Sequence, residues 1–275
     1  MDIDPIIHFH NNKPIDDFCG LSSSEMHRLI HEPLSKDCVV RLKEPISDDT
    51  LDKIPVFRLL EDYLALFDSK SYSLKLTVTG ALKQATLREL YSKGHIIDDY
   101  IEFSEKPITR EVQWGAMYAL NGVARLSGLV RLQHNKLFLT NKAKGLMKDR
   151  VELFKHLLHS YAEEFNWGYM DGYPDEPVGQ IAWPFNLYLL NKYAQDDEYA
   201  SHFAKLYKTA FPQLTHWFND TEFMTGVKLF ANCYETRTFS RFLSFFGLIE
   251  LDKEIFTRDR IVKASPLLNE LFVFE

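Results

Sequence analysis

Apolar positions recur along this chain with two periods, and the switches between them mark out the elements. "VFRLLEDYLALF", residues 56–67, places its apolar residues at helical spacing. "LKLTVTG", residues 74–80, alternates as a strand that ends in a turn, and "KQATLRELYSKG" reads as a helix closed by Gly94. A loop runs through Pro107. Thr109 is placed to cap the next helix, "REVQWGAMYALNGVARLSG", with Val112, Ala116, Ala119, Leu120, Val123 and Ala124 on its apolar face and Gly128 at its end. Two short strands follow, residues 129–132 and 137–140, joined by a tight polar turn.

The phrase that holds those strands, "GLVRLQHNKLFLT" from Gly128, returns 119 residues later as "GLIELDKEIFT" from Gly247. Before this second copy, "EYASHFAKLYKTAF", "TEFMTGVKLFANCY" and "TRTFSRFLSFFG" read as three helices, and "LIEL" and "EIFT" as the strands after them. The closing "SPLLNELFVFE" is apolar enough to dock as a short helix or strand. Near the start, Ser22 and Glu25 are spaced as a capping box, with Leu21 against Met26 as a hydrophobic staple. Pro33 should stop that helix near His31 or Glu32.

Helix, strand, helix, helix, strand, tight turn, strand resembles the winged-helix superfamily. The resemblance spans roughly residues 55–150, with a weaker copy over roughly 197–265, and it rests on element order. It implies a third helix that enters a DNA groove and a wing along the backbone, although fold alone does not assign that function. The expected class is mainly α with small β-hairpins, an α+β chain of tandem winged-helix-like units joined by a helical segment. The expected division is an N-terminal segment over 1–50, a winged-helix-like domain over 51–150, and a helical domain with the second unit over 151–275.

At 275 residues and 45% hydrophobic, the chain can bury two cores more readily than one. Its N-terminus lacks a basic segment before a long apolar run, so no signal peptide is expected, and no apolar run reaches the roughly 18 residues of a spanning helix. Three widely spaced cysteines, Cys19, Cys38 and Cys233, fit neither a disulfide framework nor a zinc knuckle, and point to a cytoplasmic location. Charge is uneven. Residues 1–68 hold 14 acidic against 7 basic side chains, 69–150 hold 7 against 14, and 151–275 hold 18 against 11. The basic middle is read either as a nucleic-acid contact or as a basic domain clasped by acidic neighbours.

If DNA is bound, Arg110, Gln113, Asn121 and Arg125 are the candidate base readers, and Arg131, His134, Lys136, Lys142, Lys144, Lys148 and Arg150 add cations from the strands, wing and following helix. In the second copy Arg237 and Arg241 form a basic pair, but Asp252 and Glu254 make its wing acidic. The stretch "FNWGYMDGYPDEPVGQIAWPFNLYLL" crowds aromatics into a loop broken by Gly and Pro. Trp167, Tyr169, Tyr173 and Trp183 are therefore candidate partner contacts, with packing between domains as the alternative. His27 and His31, with His8, His10 and Cys19 nearby, and Glu152, His156, His159 and Glu163 have helical or alternating spacings that could suit a metal, but surface roles are the plainer reading. No phosphate-cradling glycine motif or GxSxG elbow is present, and Cys19 with His27 makes a weak nucleophile and base.

"KPIDDFCGLSSSEMHRLIHEPLS" resembles the opening of a group of uncharacterised bacterial proteins with a comparable "CGLS" turn and short Met-containing helix. That resemblance implies a bacterial, cytoplasmic protein and assigns no site. The leading expectation is a non-enzymatic regulatory or protein-interaction module with an unidentified protein partner, no cofactor and no membrane. A DNA-binding regulator using the 110–125 helix and the 133–136 wing is the alternative, a metal-dependent enzyme is the third reading, and self-association stays open.

Overall fold

The structure is a computed structural model that describes residues 11–252 and 259–275. His8, His10 and Glu254, and with Glu254 the expected strand over 254–257, lie outside the described residues. The chain is mainly helical, with small antiparallel sheets. It divides into two compact units. A central one comprises Ile46–Asn166 and Phe245–Gly247, and an outer one comprises Met1–Pro45, Trp167–Ser244 and Leu248–Glu275. The boundary expected after residue 50 thus falls after 45, and the one expected after 150 falls after 166.

The outer unit begins with α1, Ser23–His31, which starts with the capping box the sequence predicts. Ser22 Oγ accepts from the Glu25 amide at 3.3 Å, and Glu25 returns to the Ser22 amide at 2.7 Å. The helix ends before Pro33, as expected. Strand β1, Val40–Leu42, follows.

In the central unit, α2 (Asp48–Leu51) and α3 (Pro55–Ala65) come first; Pro55 sits in the first turn of α3, where a missing N–H costs nothing. α3 buries Val56, Phe57, Leu59, Leu60, Tyr63 and Leu64. Strand β2 is only Ser73–Lys75; the expected strand then gives way to a turn in which the Gly80 amide reaches Thr77 O and the Ala81 amide reaches Thr77 Oγ1. Next come α4 (Gln84–Tyr91), α5 (Asp99–Ser104) and α6 (Gly115–Leu126), then β3 (Val130–Gln133) and β4 (Lys136–Leu139). The unit closes with α7 (Asn141–Leu146) and α8 (Arg150–His159).

α6 starts later than predicted. Residues Glu111–Gln113 form a separate 3-10 turn, and Thr109 donates to Gln113 Oε1 instead of capping the helix. Glu111 causes the break, because its buried carboxylate is drawn inward to accept from the Leu82 amide at 2.8 Å and from Asn121 at 2.6 Å. Val112 consequently faces solvent, 61% exposed, and does not join the apolar face. The small residues of α6 allow close packing. A Cβ added to Gly122 would stand 3.2 Å from the Phe165 ring.

Arg150 locks the start of α8 to α2 and α3. It reaches Asp48 at 2.7 Å, Asp52 at 2.7 Å and Glu61 at 2.8 Å, with its guanidinium 5.6 Å from the Phe57 ring centre. Arg150 is therefore committed to an ion-pair network within the unit.

The rest of the outer unit is α9 (Trp183–Tyr193), β5 (Glu198–Tyr199), α10 (Ala200–Ala210), α11 (Gly226–Tyr234), β6 (Ile249–Leu251), β7 (Ile261–Ala264), α12 (Pro266–Leu271) and β8 (Phe272–Phe274). α11 runs on through a π-helical stretch, Glu235–Leu243, so two of the three expected helices are one. The C-terminus is docked by β8 pairing antiparallel with β1.

The two units repeat one plan. In the central unit the order is α3, β2, α4, α6, β3, β4, with α5 inserted, and the sheet order is β2-β4-β3. In the outer unit the order is α9, β5, α10, α11, β6, β7, and the sheet order is β5-β7-β6. Each first strand pairs with the last. The second copy begins earlier than residue 197, at α9, and its hairpin partner for β6 is Ile261–Ala264.

Candidate nucleic-acid interface

The phrase at Gly128 builds a two-residue hairpin. His134 and Asn135 both adopt left-handed φ, 48° and 52°, which matches the right-handed twist of paired strands and suits asparagine. The register then fixes a surface. Lys75 stands opposite Lys136, and Lys136 opposite Gln133; two residues along, Ser73, Phe138 and Arg131 form the next row. Because alternate residues share a face, these two rows point the same way, and Leu74, Leu137 and Leu132 point the other. Leu137 is fully buried, so the face with Lys75, Lys136 and Arg131 is the outer one.

That outer face is basic and aromatic. The Arg131 guanidinium lies 5.1 Å from the Phe138 ring centre and donates to Gln133 Oε1 at 2.5 Å. Off that face, at the Tyr72 that precedes β2, Lys144 Nζ sits 3.6 Å over the ring. None of the three strands contains an acidic residue. Two lysines directly opposite on one face repel each other, so this surface has room for an anion and no internal counter-charge within the strands.

Other predicted contacts are divided by the fold. Arg110 and Gln113 are exposed, but the Gln113 carbonyl is engaged by Thr109 and by the Arg110 amide at 2.8 Å. Arg125 is half-buried and donates to Gly80 O at 3.2 Å. Lys142 donates to Ser127 O at 3.0 Å, a carbonyl also 3.1 Å from His156 Nε2. Burial, then the nearby Lys142, holds His156 below the ordinary histidine pKa. Asn121 is not a base reader. It is 3% exposed, accepts from Tyr63 Oη at 3.0 Å and donates to Glu111. Burial raises the Tyr63 hydroxyl well above the usual tyrosine range, which keeps it a proton donor.

The aromatic loop of the outer unit is mostly interior. Trp167 and Trp183 are 3% and 2% exposed, and both rings pack on Phe242, at 4.7 Å and 5.7 Å between centres. These two tryptophans therefore fill the core of that unit; Tyr173 is half-buried and Tyr169 remains exposed. Arg237 holds the loop from below. Its guanidinium donates to both Asp171 oxygens, at 2.8 Å and 2.9 Å, to Pro174 O and to Glu176 O. Burial works against its charge, but the Asp171 carboxylate more than compensates and leaves the Arg237 pKa raised. Arg241 adds a bond to Met170 O at 2.9 Å. The basic pair Arg237 and Arg241 is a loop clamp.

The histidine groups do not converge. The His27 and His31 rings lie 4.4 Å apart between centres and tilted by 49°, His156 turns to Ser127 O, and His159 pairs with Glu163 at 3.2 Å. Among the described residues no three His, Cys, Asp or Glu side chains are placed to hold one ion. Lys75, Tyr72 and Phe138 were absent from the sequence-based set. Lys75 lies in the alternating stretch already read as a strand, but only its register with β4 brings it opposite Lys136. Among the described residues no helix is long and apolar enough to cross a membrane. No protein-family model, curated protein or solved structure matches the chain.

Proposed function

We propose that this chain is a non-enzymatic regulatory module that binds the phosphate backbone of nucleic acid through the outer face of the β2-β4-β3 sheet. The observation that carries the reading is the face with Lys75 opposite Lys136 and with Arg131 beside them, on three strands that contain no acidic residue. Phosphate oxygens relieve the lysine repulsion, and Phe138 supplies apolar surface beside the cations. The element order supports a winged-helix comparison, with α6 as third helix and the His134-Asn135 turn as a very short wing. Since α6 is largely buried and Asn121 is enclosed, the reading favours backbone contact over base readout.

Burial raises the Cys19 thiol and pushes that of Cys233 up to about 12, which disfavours a thiolate nucleophile and supports binding over covalent catalysis. The test is fluorescence anisotropy with random duplex DNA at low and physiological salt. Four phosphate contacts give a slope of log affinity on log salt of about −3 to −4. Lys136→Glu should weaken binding on all sequences and lower that slope by about 1. No binding at low salt would sink the proposal.

A second reading, capture of a protein partner, is favoured by the loop before α11. Asp220 Oδ1 holds the Gly226 amide at 2.7 Å and Thr221 N–H reaches Met224 O at 2.8 Å, yet Trp217, Phe223 and Val227 are 59%, 88% and 61% exposed. A fixed loop that exposes Phe223, between Trp217 at its start and Val227 in the first turn of α11, fits an anchor for another protein.

A further inference from the structure

Helix α5 is short, acidic and firmly held, and it turns its aromatics outward. Asp98 Oδ1 accepts from the Tyr100 and Ile101 amides at 3.0 Å and 3.2 Å, which caps the first turn. Tyr91 Oη donates to Glu102 at 2.7 Å and accepts from the Asp98 amide at 3.2 Å, and the Tyr91 ring packs edge-on against buried Trp114 at 5.1 Å. Burial is the first cause that pushes the Tyr91 hydroxyl up to about 12, so it stays a donor to Glu102 across the physiological range. Ile101 is buried beneath the helix. Tyr100 and Phe103, one turn apart, are 78% and 87% exposed, and Ile97 beside them is 53% exposed.

Such a helix holds its backbone in a set geometry, so that two aromatics one turn apart are offered to a partner together. Its charge is one-sided. Residues 97–105 contain Asp98, Asp99, Glu102 and Glu105 and no basic side chain. The occupant it fits is a surface with an aromatic floor and a basic rim. The same unit carries such a surface, the outer sheet face with Lys75, Arg131 and Lys136 around Phe138.

We infer that α5 of one copy docks on the outer sheet face of a second copy, so that self-association and nucleic acid compete for one basic surface. Two such contacts made reciprocally close a two-fold dimer. Carboxylates of α5 replace phosphate oxygens beside the lysines, and Phe103 and Tyr100 cover Phe138. The inference rests on that sheet face being an anion-binding surface. It adds regulation: a dimer masks the face, and nucleic acid at sufficient concentration displaces it.

The experiment is sedimentation equilibrium of the full chain at several concentrations and two salt levels, with circular dichroism to establish that each variant is folded. The expected result is a mass that rises above the monomer with concentration and falls back with salt, and that stays monomeric in Tyr100→Ser/Phe103→Ser. A charge-swapped pair tests the geometry. Asp99→Lys/Glu105→Lys places basic groups on both surfaces, Lys75→Glu/Lys136→Glu places acidic groups on both, and each alone should remain monomeric. Mixed in equal amounts, they should associate, because both reciprocal contacts are again complementary. Failure of the folded pair to associate, or a wild-type protein monomeric throughout, would overturn the inference. Wild-type protein that stays monomeric but binds duplex DNA leaves the proposed function standing, whereas association without any duplex binding removes the nucleic-acid reading and the competition with it, and leaves only the docking of α5 on the sheet face.

Discussion

Lys75 and Lys136 stand directly opposite each other on adjacent antiparallel strands, with their side chains on the same outer face. Like charges so placed cost stability, so a substitution that relieves the pair separates folding from binding. Lys75→Glu is expected to stabilise the free protein by about 0.2–1 kcal/mol while weakening duplex binding. Thermal melts and anisotropy on the same sample check both directions at once. A variant that melts lower, or binds unchanged, contradicts this account of the surface.

Asn121 has the opposite role. Asn121→Ala leaves the Glu111 carboxylate short of a donor and Tyr63 Oη short of an acceptor inside the central unit. A loss of about 1–3 kcal/mol is expected, and more if the Glu111 charge stays buried without compensation. At a temperature where the variant is still folded, its affinity for duplex should stay within about twofold of the parent, since no base contact is lost. Urea titration and anisotropy measure the two effects separately.

Arg237 and Asp171 form a nearly fully buried pair, 0% and 5% exposed at their side chains. Arg237→Met removes the closer cation and leaves the buried carboxylate only Arg241, at 3.5 Å, at a cost of about 3–5 kcal/mol. Arg237→Met combined with Asp171→Asn should recover part of that loss, because the buried carboxylate charge is gone and Arg241, 23% exposed at its side chain, keeps its bond to Met170 O. The midpoints of chemical unfolding for the single and double variants provide the comparison, and equal midpoints would argue against a charge-driven clamp.

Acid should weaken the junction of α2, α3 and α8. The hydrogen bond from Arg150 is the first cause that holds the Asp52 carboxyl below its ordinary pKa of 3.8. A carboxyl depressed in the folded state adds stability above its unfolded pKa, and that stability is lost as pH falls through the lower folded value. The protein should therefore lose stability below about pH 4, and Arg150→Met should flatten this acid limb while lowering stability at neutral pH. Melts from pH 3 to about pH 7 test the sign. An unchanged acid limb would exclude Arg150 as its origin.

Much of the local structure could be read before any fold was in hand. The Ser22 and Glu25 capping box, the stop before Pro33 and the tight turn at His134-Asn135 involve residues within a few positions of each other. Two helical readings went astray for identifiable reasons. α9 buries Trp183, Pro184, Phe185, Asn186, Leu187, Leu189 and Leu190, so it has no clear polar face and reads as an apolar loop. The polar run at Glu235-Thr236-Arg237-Thr238 looks like a break, but Asp171 neutralises Arg237 and lets the helix continue through the core.

The sequence by itself determined the mainly helical class, the capped start of α1 and the tight hairpin at His134-Asn135, because caps, turns and periodicity are short-range effects. Only tertiary structure decided which polar residues are interior and which cations share a face. Asn121 meets Tyr63 across 58 positions, Arg237 meets Asp171 across 66, and Lys75 meets Lys136 through a strand register. A side chain's burial depends on distant partners that satisfy its hydrogen bonds and charge, and no local pattern records where those partners will be.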